Sequence, residues 1–318
     1  MKKSERNRTI QNNEISEIRT FTLGGYPQKV MLDGKSKENP VVICLHGGPG
    51  SPVPFSVGCR GLFPEITEKL TLICWDQLGC GINNRPIDDS FTIRNFTDMT
   101  NDLIKEVRNL FPKNKLLLFG ISWGSILALK ASLDSEALID GVIVYGQVLS
   151  DLTFNKEVFD FLNASPMPKR KKRDLKKLFS RKNKKYGQKI MILLKKYTEA
   201  YQTKTEKNSS MRDIFWGLIK SPDYKFKDFK AIVINGYMKN NSLFNELFNI
   251  DLKAGLSKIK IPYTVIQGEK DMVTPTKTVT ESLKEFNNDN IRLITVSNNG
   301  HIPNDSGMDT ILHELMDF

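Results

Sequence analysis

The amino-acid sequence predicts an α/β protein, with an eight-stranded, mostly parallel sheet and a helical insertion between strands six and seven. Three observations carry this expectation. Short β-rich apolar runs bounded by Gly or turn residues alternate with segments of helical apolar spacing, which is the pattern of βαβ units. Eight such runs are present. Residues 151–250 carry helix-like spacing but no run of comparable β character.

Residues 17–23 and 29–32 read as an opening antiparallel pair, followed by strands at 41–45, 72–75, 116–119 and 142–145. After the gap come 263–267 and 291–296. The stretch 94–111 reads as a helix, because Phe96, Met99, Leu103, Val107 and Leu110 recur at spacings of three and four. Pro112 ends it. Within the insertion, Phe154, Val158, Phe161 and Leu162, then Ile190, Leu193, Leu194 and Tyr197, repeat that spacing. Residues 305–318 supply a closing helix. Two units follow: 1–150 with 251–318 as one domain, and 151–250 as a helical cap.

With 318 residues, 39% of them hydrophobic, the chain can bury a sizeable core without disulfides or metals. It has no apolar run of about 18 residues, so no membrane span is expected. The first 16 residues carry positive charge with no apolar stretch behind it, which predicts a polar, frayed tail rather than a secretory signal. Cytoplasmic location and reduced thiols are expected on that ground. Cys44 and Cys74 fall inside strand-like runs as small buried hydrophobes. The net charge of +11 is concentrated: residues 151–230 hold 22 Lys and Arg against 9 Asp and Glu. The densest part, Lys169 to Arg173 and Arg181 to Lys185, suits either an anionic partner or a solvated helical face. No aromatic interleaving or nucleic-acid motif accompanies it, so no nucleic-acid partner is expected.

The sharpest signal is Gly120-Ile121-Ser122-Trp123-Gly124, a G-x-S-x-G between a strand and a helical run. In that context the serine occupies a tight turn above the sheet edge, with a helix N-terminus beneath it. A serine hydroxyl needs a base to become a nucleophile. Of the three histidines, His313 lies in the closing helix and His46 opens the loop His46-Gly47-Gly48-Pro49-Gly50. His301, in a loop past the last strand, is the candidate base. Asp271, after the seventh strand, is the candidate acid that fixes the imidazole tautomer, with Glu269 as its competitor. Ser…Asp…His is the chain order of the α/β-hydrolase fold. An oxyanion hole requires two N–H donors. Trp123, next to the nucleophile, is one; Gly48 is the other, with Gly47 the alternative. Cys80, past the fourth strand on the same edge, is expected near the mouth of the site.

With these residues in place the sequence resembles the proline iminopeptidase family of α/β-hydrolases. The likeness lies in His46-Gly47-Gly48-Pro49-Gly50, in Trp75-Asp76-Gln77-Leu78-Gly79-Cys80-Gly81, in Gly120-Ile121-Ser122-Trp123-Gly124-Ser125, and around Asp271 and His301. The resemblance implies a helical cap over the active site, a small-molecule or short-peptide substrate, and no metal or organic cofactor. Two departures stand out. The family's D-Q-R-G-x-G has Arg where this chain has Leu78. The cap segment E-N-H-Y-F, whose Glu pairs with a substrate ammonium, has Ile234-Asn235-Gly236-Tyr237-Met238 as its nearest counterpart. On that correspondence Ile234 and Tyr237, with Gly47, line the substrate site, and the acid is missing. Glu157, Glu199 and Glu206 are the cap's alternative carboxylates.

Three functions compete. One is a serine aminopeptidase for small peptides, and a second is a carboxylesterase or amide hydrolase with a reshaped cap. The third is a non-catalytic binding protein of this fold, against which the full set of candidate catalytic residues argues.

Overall fold

The computed structural model describes residues 3–150, 152–203 and 209–318. Eight strands form one sheet: β1 (Ile15–Leu23), β2 (Tyr26–Gly34), β3 (Val41–Leu45), β4 (Thr71–Trp75), β5 (Leu116–Ile121), β6 (Gly141–Tyr145), β7 (Tyr263–Gly268) and β8 (Ile291–Val296). Their spatial order is β1-β2-β4-β3-β5-β6-β7-β8. β2 runs antiparallel to both β1 and β4, and every other pairing is parallel. The central strands β3 to β7 are buried along their whole length, as expected where both faces are covered.

The helix Ile93–Leu110 begins where the Thr92 N–H and hydroxyl both donate to Asn95 Oδ1, and it buries Phe96, Met99, Leu103 and Val107. Leu110 sits at the rim, exposed. Between β6 and β7 the described residues hold eight α-helices, one 3₁₀ helix and no strand, from Lys156–Ala164 to Lys253–Leu256. The chain leaves and re-enters the body side by side, for Ser150 and Asp251 form an antiparallel bridge and Leu252 N–H donates to Leu149 O at 2.8 Å. Within the insertion Val158, Leu162, Ile190, Leu193 and Leu194 face inward. Lys169–Arg173 is a short, largely exposed helix.

The N-terminus departs from expectation. Instead of a frayed tail, Lys3–Asn12 is a helix anchored by one buried side chain. The Arg6 guanidinium donates to Arg60 O, Gly217 O and Gly58 O at 2.6–2.7 Å. A polar segment with no apolar periodicity is thereby tied to the body by charge-assisted hydrogen bonds, with Ile10 packed beside Gly61. No helix among the described residues is long and apolar enough to cross a membrane.

Candidate active site

Four connections converge at the carboxyl ends of the parallel strands: the Gly-rich loop after β3, the Ser122 turn after β5, and the loops after β7 and β8. Ser122 lies between β5 and the helix Trp123–Asp134 with φ 52° and ψ −114°, a backbone conformation that costs about 1–3 kcal/mol for a residue with a Cβ. Its N–H donates to Tyr145 O, and its carbonyl accepts from the Ser125 N–H and hydroxyl. The turn passes so close to β3 that a Cβ at Gly124 would lie 1.9 Å from Leu45 O.

Ser122, His301 and Asp271 form one hydrogen-bonded line. His301 Nε2 is 2.8 Å from Ser122 Oγ, and His301 Nδ1 is 2.8 Å from Asp271 Oδ2. Asp271 is fully buried yet well satisfied. Its Oδ1 accepts from the Val273 and Thr274 N–H groups and its Oδ2 also accepts from the Thr274 hydroxyl. Glu269, the competing acid, instead accepts from Asn298 N–H at 3.0 Å, away from the imidazole. The His301 loop is held from outside by the insertion: His301 N–H donates to Ala200 O and Ile302 N–H to Tyr201 O. Tyr145 OH donates to Gly300 O on the other side.

Gly47 and Gly48 both border Ser122's cavity. The Trp123 N–H opens a helix, where the first N–H groups have no intrahelical acceptor. His46 supports this loop from beneath. Its Nδ1–H donates to Gly47 O at 2.9 Å and its Nε2 accepts from Gln77 N–H at 3.0 Å, and burial pushes its pKa down to about 4. Gln77 joins the two halves of the site, for its amide donates to His46 O and its carbonyl accepts from the Trp123 indole N–H at 2.7 Å. Gln77, Thr274, Ala200 and Tyr201 were not legible as site residues in the sequence; only Gln77 stood in a quoted motif.

A neutral buried imidazole has a signature. His46 binds no proton in the folded state until about pH 4 but does so near 6.5 when unfolded, so its contribution is lost as pH falls between those values. Two and a half pKa units correspond to about 3 kcal/mol. Urea unfolding of His46→Gln beside the native protein is expected to show the variant gaining about that much on the native between pH 7 and pH 4. A pH-independent difference would exclude a neutral His46.

Asp76 is the opposite case. Burial raises its carboxyl to about 6 despite donors from Val57 N–H, Ile82 N–H and the hydroxyl of Tyr224 in the insertion.

The cavity above Ser122 holds about 550 Å³. Its walls are mostly apolar, with Val53, Leu152, Met191, Phe244, Leu247 and Phe248 facing Ser122 and His301. Among the described residues lining it there is no carboxylate. Ile234 is corrected by this geometry: it is half exposed on the outside of the insertion and does not line the cavity. Tyr237 is corrected too. Its ring is buried under the Gly-rich loop and its hydroxyl donates to Leu78 O at 2.7 Å, so it braces the loop rather than facing substrate. Residues 235–237 are stitched to the body by Asn235 Nδ2 to Gly50 O and by Gly236 N–H to Gly79 O, and none of them lines the cavity. Glu157 accepts from the Thr278 hydroxyl and Glu199 pairs with Lys270, both away from Ser122; Glu206 lies outside the described residues. His313 is exposed beside Asp317.

Cys80 is also corrected. It is buried, with Sγ 3.4 Å from His46 Nε2, and burial holds its thiol well above the ordinary value. Cys59 is pushed up to about 11 by the same cause. With all four thiols buried, a bulky disulfide reagent is expected to titrate none in the native protein and four in denaturant, without loss of native activity. One fast-reacting native thiol would contradict this packing.

The α/β hydrolase fold family model matches residues 40–307. The chain is 23% identical over 300 residues to "Probable aminopeptidase YbaC" of Bacillus subtilis, covering 92% of this chain and 93% of that protein. It is 24% identical over 267 residues to a proline iminopeptidase of Lactobacillus acidophilus, 79% of this chain and 81% of the relative. The crystal structure of a proline iminopeptidase from Mycobacterium smegmatis superposes with a TM-score of 0.63 at 15% identity, covering 95% and 97% of the two chains. With a family match spanning most of the chain and an eight-stranded sheet of matching architecture, this protein belongs to the α/β-hydrolase fold family and is a hydrolase.

Proposed function

We propose that the chain is a serine hydrolase that cleaves neutral, apolar esters or amides through an acyl-serine intermediate. The observation that carries this is the line Ser122–His301–Asp271, whose first two members lie at the floor of a cavity with mostly apolar described walls. Ser122 Oγ attacks the substrate carbonyl while His301 Nε2 takes its proton. Asp271 holds the Nδ1–H tautomer and stabilises the imidazolium. The Trp123 and Gly48 N–H groups receive the developing oxyanion. His301 then protonates the leaving group, and water, activated by the same imidazole, releases the acyl group. The segment 151–250 acts as the cap that closes the cavity.

Aminopeptidase activity is the second reading, favoured by the names of the two curated relatives. With no carboxylate among the described residues that line the cavity, a substrate ammonium is disfavoured there by about 3–5 kcal/mol, two to four powers of ten. Fluorophosphonate labelling of Ser122, followed by a panel of p-nitrophenyl esters and aminoacyl-naphthylamides, tests both readings. Labelling is expected to be lost in Ser122→Ala, with esters turned over faster than prolyl-naphthylamide. Because Ile234 is outside the cavity, Ile234→Glu is expected to leave the ester-to-amide ratio within about twofold. Faster release of proline than of short acyl groups would establish the aminopeptidase reading.

A further inference from the structure

Ten large hydrophobic side chains are exposed among the described residues, and seven of them lie between 215 and 238. Phe215 and Trp216, on the helix Ser209–Ile219, are each about half exposed, and Phe226 and Val233 are 82% and 78% exposed. The patch is continuous. Phe215 packs edge-on against Phe229 of the helix Phe226–Lys230, with ring centroids 5.3 Å apart. Residues 232–234 continue that helix in turns, with Val233 and Ile234 N–H both donating to Lys230 O. Phe226, Lys230, Val233 and Ile234 therefore share one outward face, by the three-to-four-residue period of such turns.

Its charge is predominantly positive, with Asp213 the one exposed acid of the stretch 211–239. Arg212, Lys220, Lys225, Lys227, Lys230 and Lys239 are all exposed around it. Two of the three acids in the same stretch turn inward: Asp223 is bound by Arg60, and Asp228 is buried against the Lys225 N–H. A patch of Phe and Trp rimmed by lysines matches the two components of an anionic bilayer surface, apolar at acyl depth and negative at the headgroups. A second copy of this chain fits poorly, since facing patches would bring twelve cations together. The helix carrying Phe215 and Trp216 also carries Met211, one turn earlier, which lines the cavity above Ser122. We propose that this outer face docks the protein reversibly on anionic lipid surfaces, with the cavity mouth set beside the headgroup layer.

Tryptophan fluorescence tests this, because Trp75 and Trp123 are buried and Trp216 is 52% exposed. On mixing with vesicles of phosphatidylcholine and phosphatidylglycerol, emission is expected to shift to the blue, and Trp216→Phe is expected to abolish the shift. Co-sedimentation with the same vesicles should fall by roughly a hundredfold in Lys225→Ala/Lys227→Ala/Lys230→Ala, at about fivefold per basic residue. It should also weaken in 1 M salt, where screening length drops to about 3 Å. Phe226→Ser/Val233→Ser should lose binding while keeping the far-UV circular dichroism and thermal melt of the native protein, which shows that the fold survives. Absence of binding to anionic vesicles by the native protein would overturn the proposal. So would equal binding to pure phosphatidylcholine, or a concentration-dependent dimer in sedimentation velocity that Phe226→Ser/Val233→Ser abolishes. Because vesicle binding is read without turnover, these outcomes are independent of whether Ser122 is the nucleophile.

Discussion

Ser122→Ala is expected to lower turnover by about 10⁴-fold or more, and His301→Ala by a similar factor. The double variant should lose little beyond either single one, because the hydroxyl and the imidazole act on the same proton at 2.8 Å. Substrate affinity should hardly change, since neither side chain supplies the apolar walls. Stability separates this result from unfolding. Ser122 sits at φ 52°, so Ser122→Gly removes the strain along with the nucleophile. It is expected to be as inactive as the alanine variant and about 1 kcal/mol more stable. Steady-state kinetics with matched thermal melts check all of this. Multiplicative losses in the double variant would show that Ser122 and His301 do not work as one unit.

Gly124→Ala is expected to be the most damaging single methyl group in the site. The added carbon would meet Leu45 O at 1.9 Å, Leu45 C at 2.7 Å and His46 O at 2.9 Å, all of them backbone atoms of the neighbouring strand end and loop. None of these can swing aside as a side-chain tip can. The helix must move away from the Gly-rich loop, at a cost of about 3 kcal/mol or more. For a chain of this size that lowers Tm by roughly 6–12 °C. Activity should fall further, by about a hundredfold for a displacement near 1 Å, because the Trp123 N–H travels with the helix. Gly255→Ala is the control. There the nearest atom is Leu133 Cδ1 at 3.3 Å, a mobile side-chain methyl, and the change should be mild. Differential scanning calorimetry of the two variants decides the matter; a native-like melt for Gly124→Ala would contradict the close approach.

The sheet was legible because each strand is a local apolar run punctuated by Gly or a turn, and all eight formed within a few residues of their expected ends. The positions of Ser122, Asp271 and His301 were legible for a related reason: each follows a strand directly, so chain order alone puts them on one edge. What failed was everything set by distant partners. Arg6 finds its acceptors 52 to 211 residues away, and nothing local in a polar N-terminus announces them. Cys80 lies past the expected strand, but its thiol turns down onto His46, a contact set by the path of the Gly-rich loop. Ile234 and Tyr237 were placed by correspondence in a helical segment with no fixed landmark, and the structure uses Tyr237 as a brace instead. Gln77 stood in a recognised motif, yet its role depends on an indole 46 residues on.

The two carbonyls of Ala200 and Tyr201 that receive the His301 and Ile302 N–H groups bear on how this architecture can be re-engineered. Helical insertions of this kind invite treatment as cassettes, exchanged between scaffolds to import a new substrate preference. Here the insertion also supplies part of the frame on which the imidazole loop rests. A grafted segment that reshapes the cavity but offers no acceptors at those two points leaves a pair of loop amides unpaired beside Ser122. Chimeras should therefore keep residues 199–203 with the recipient body and place their junctions outside them.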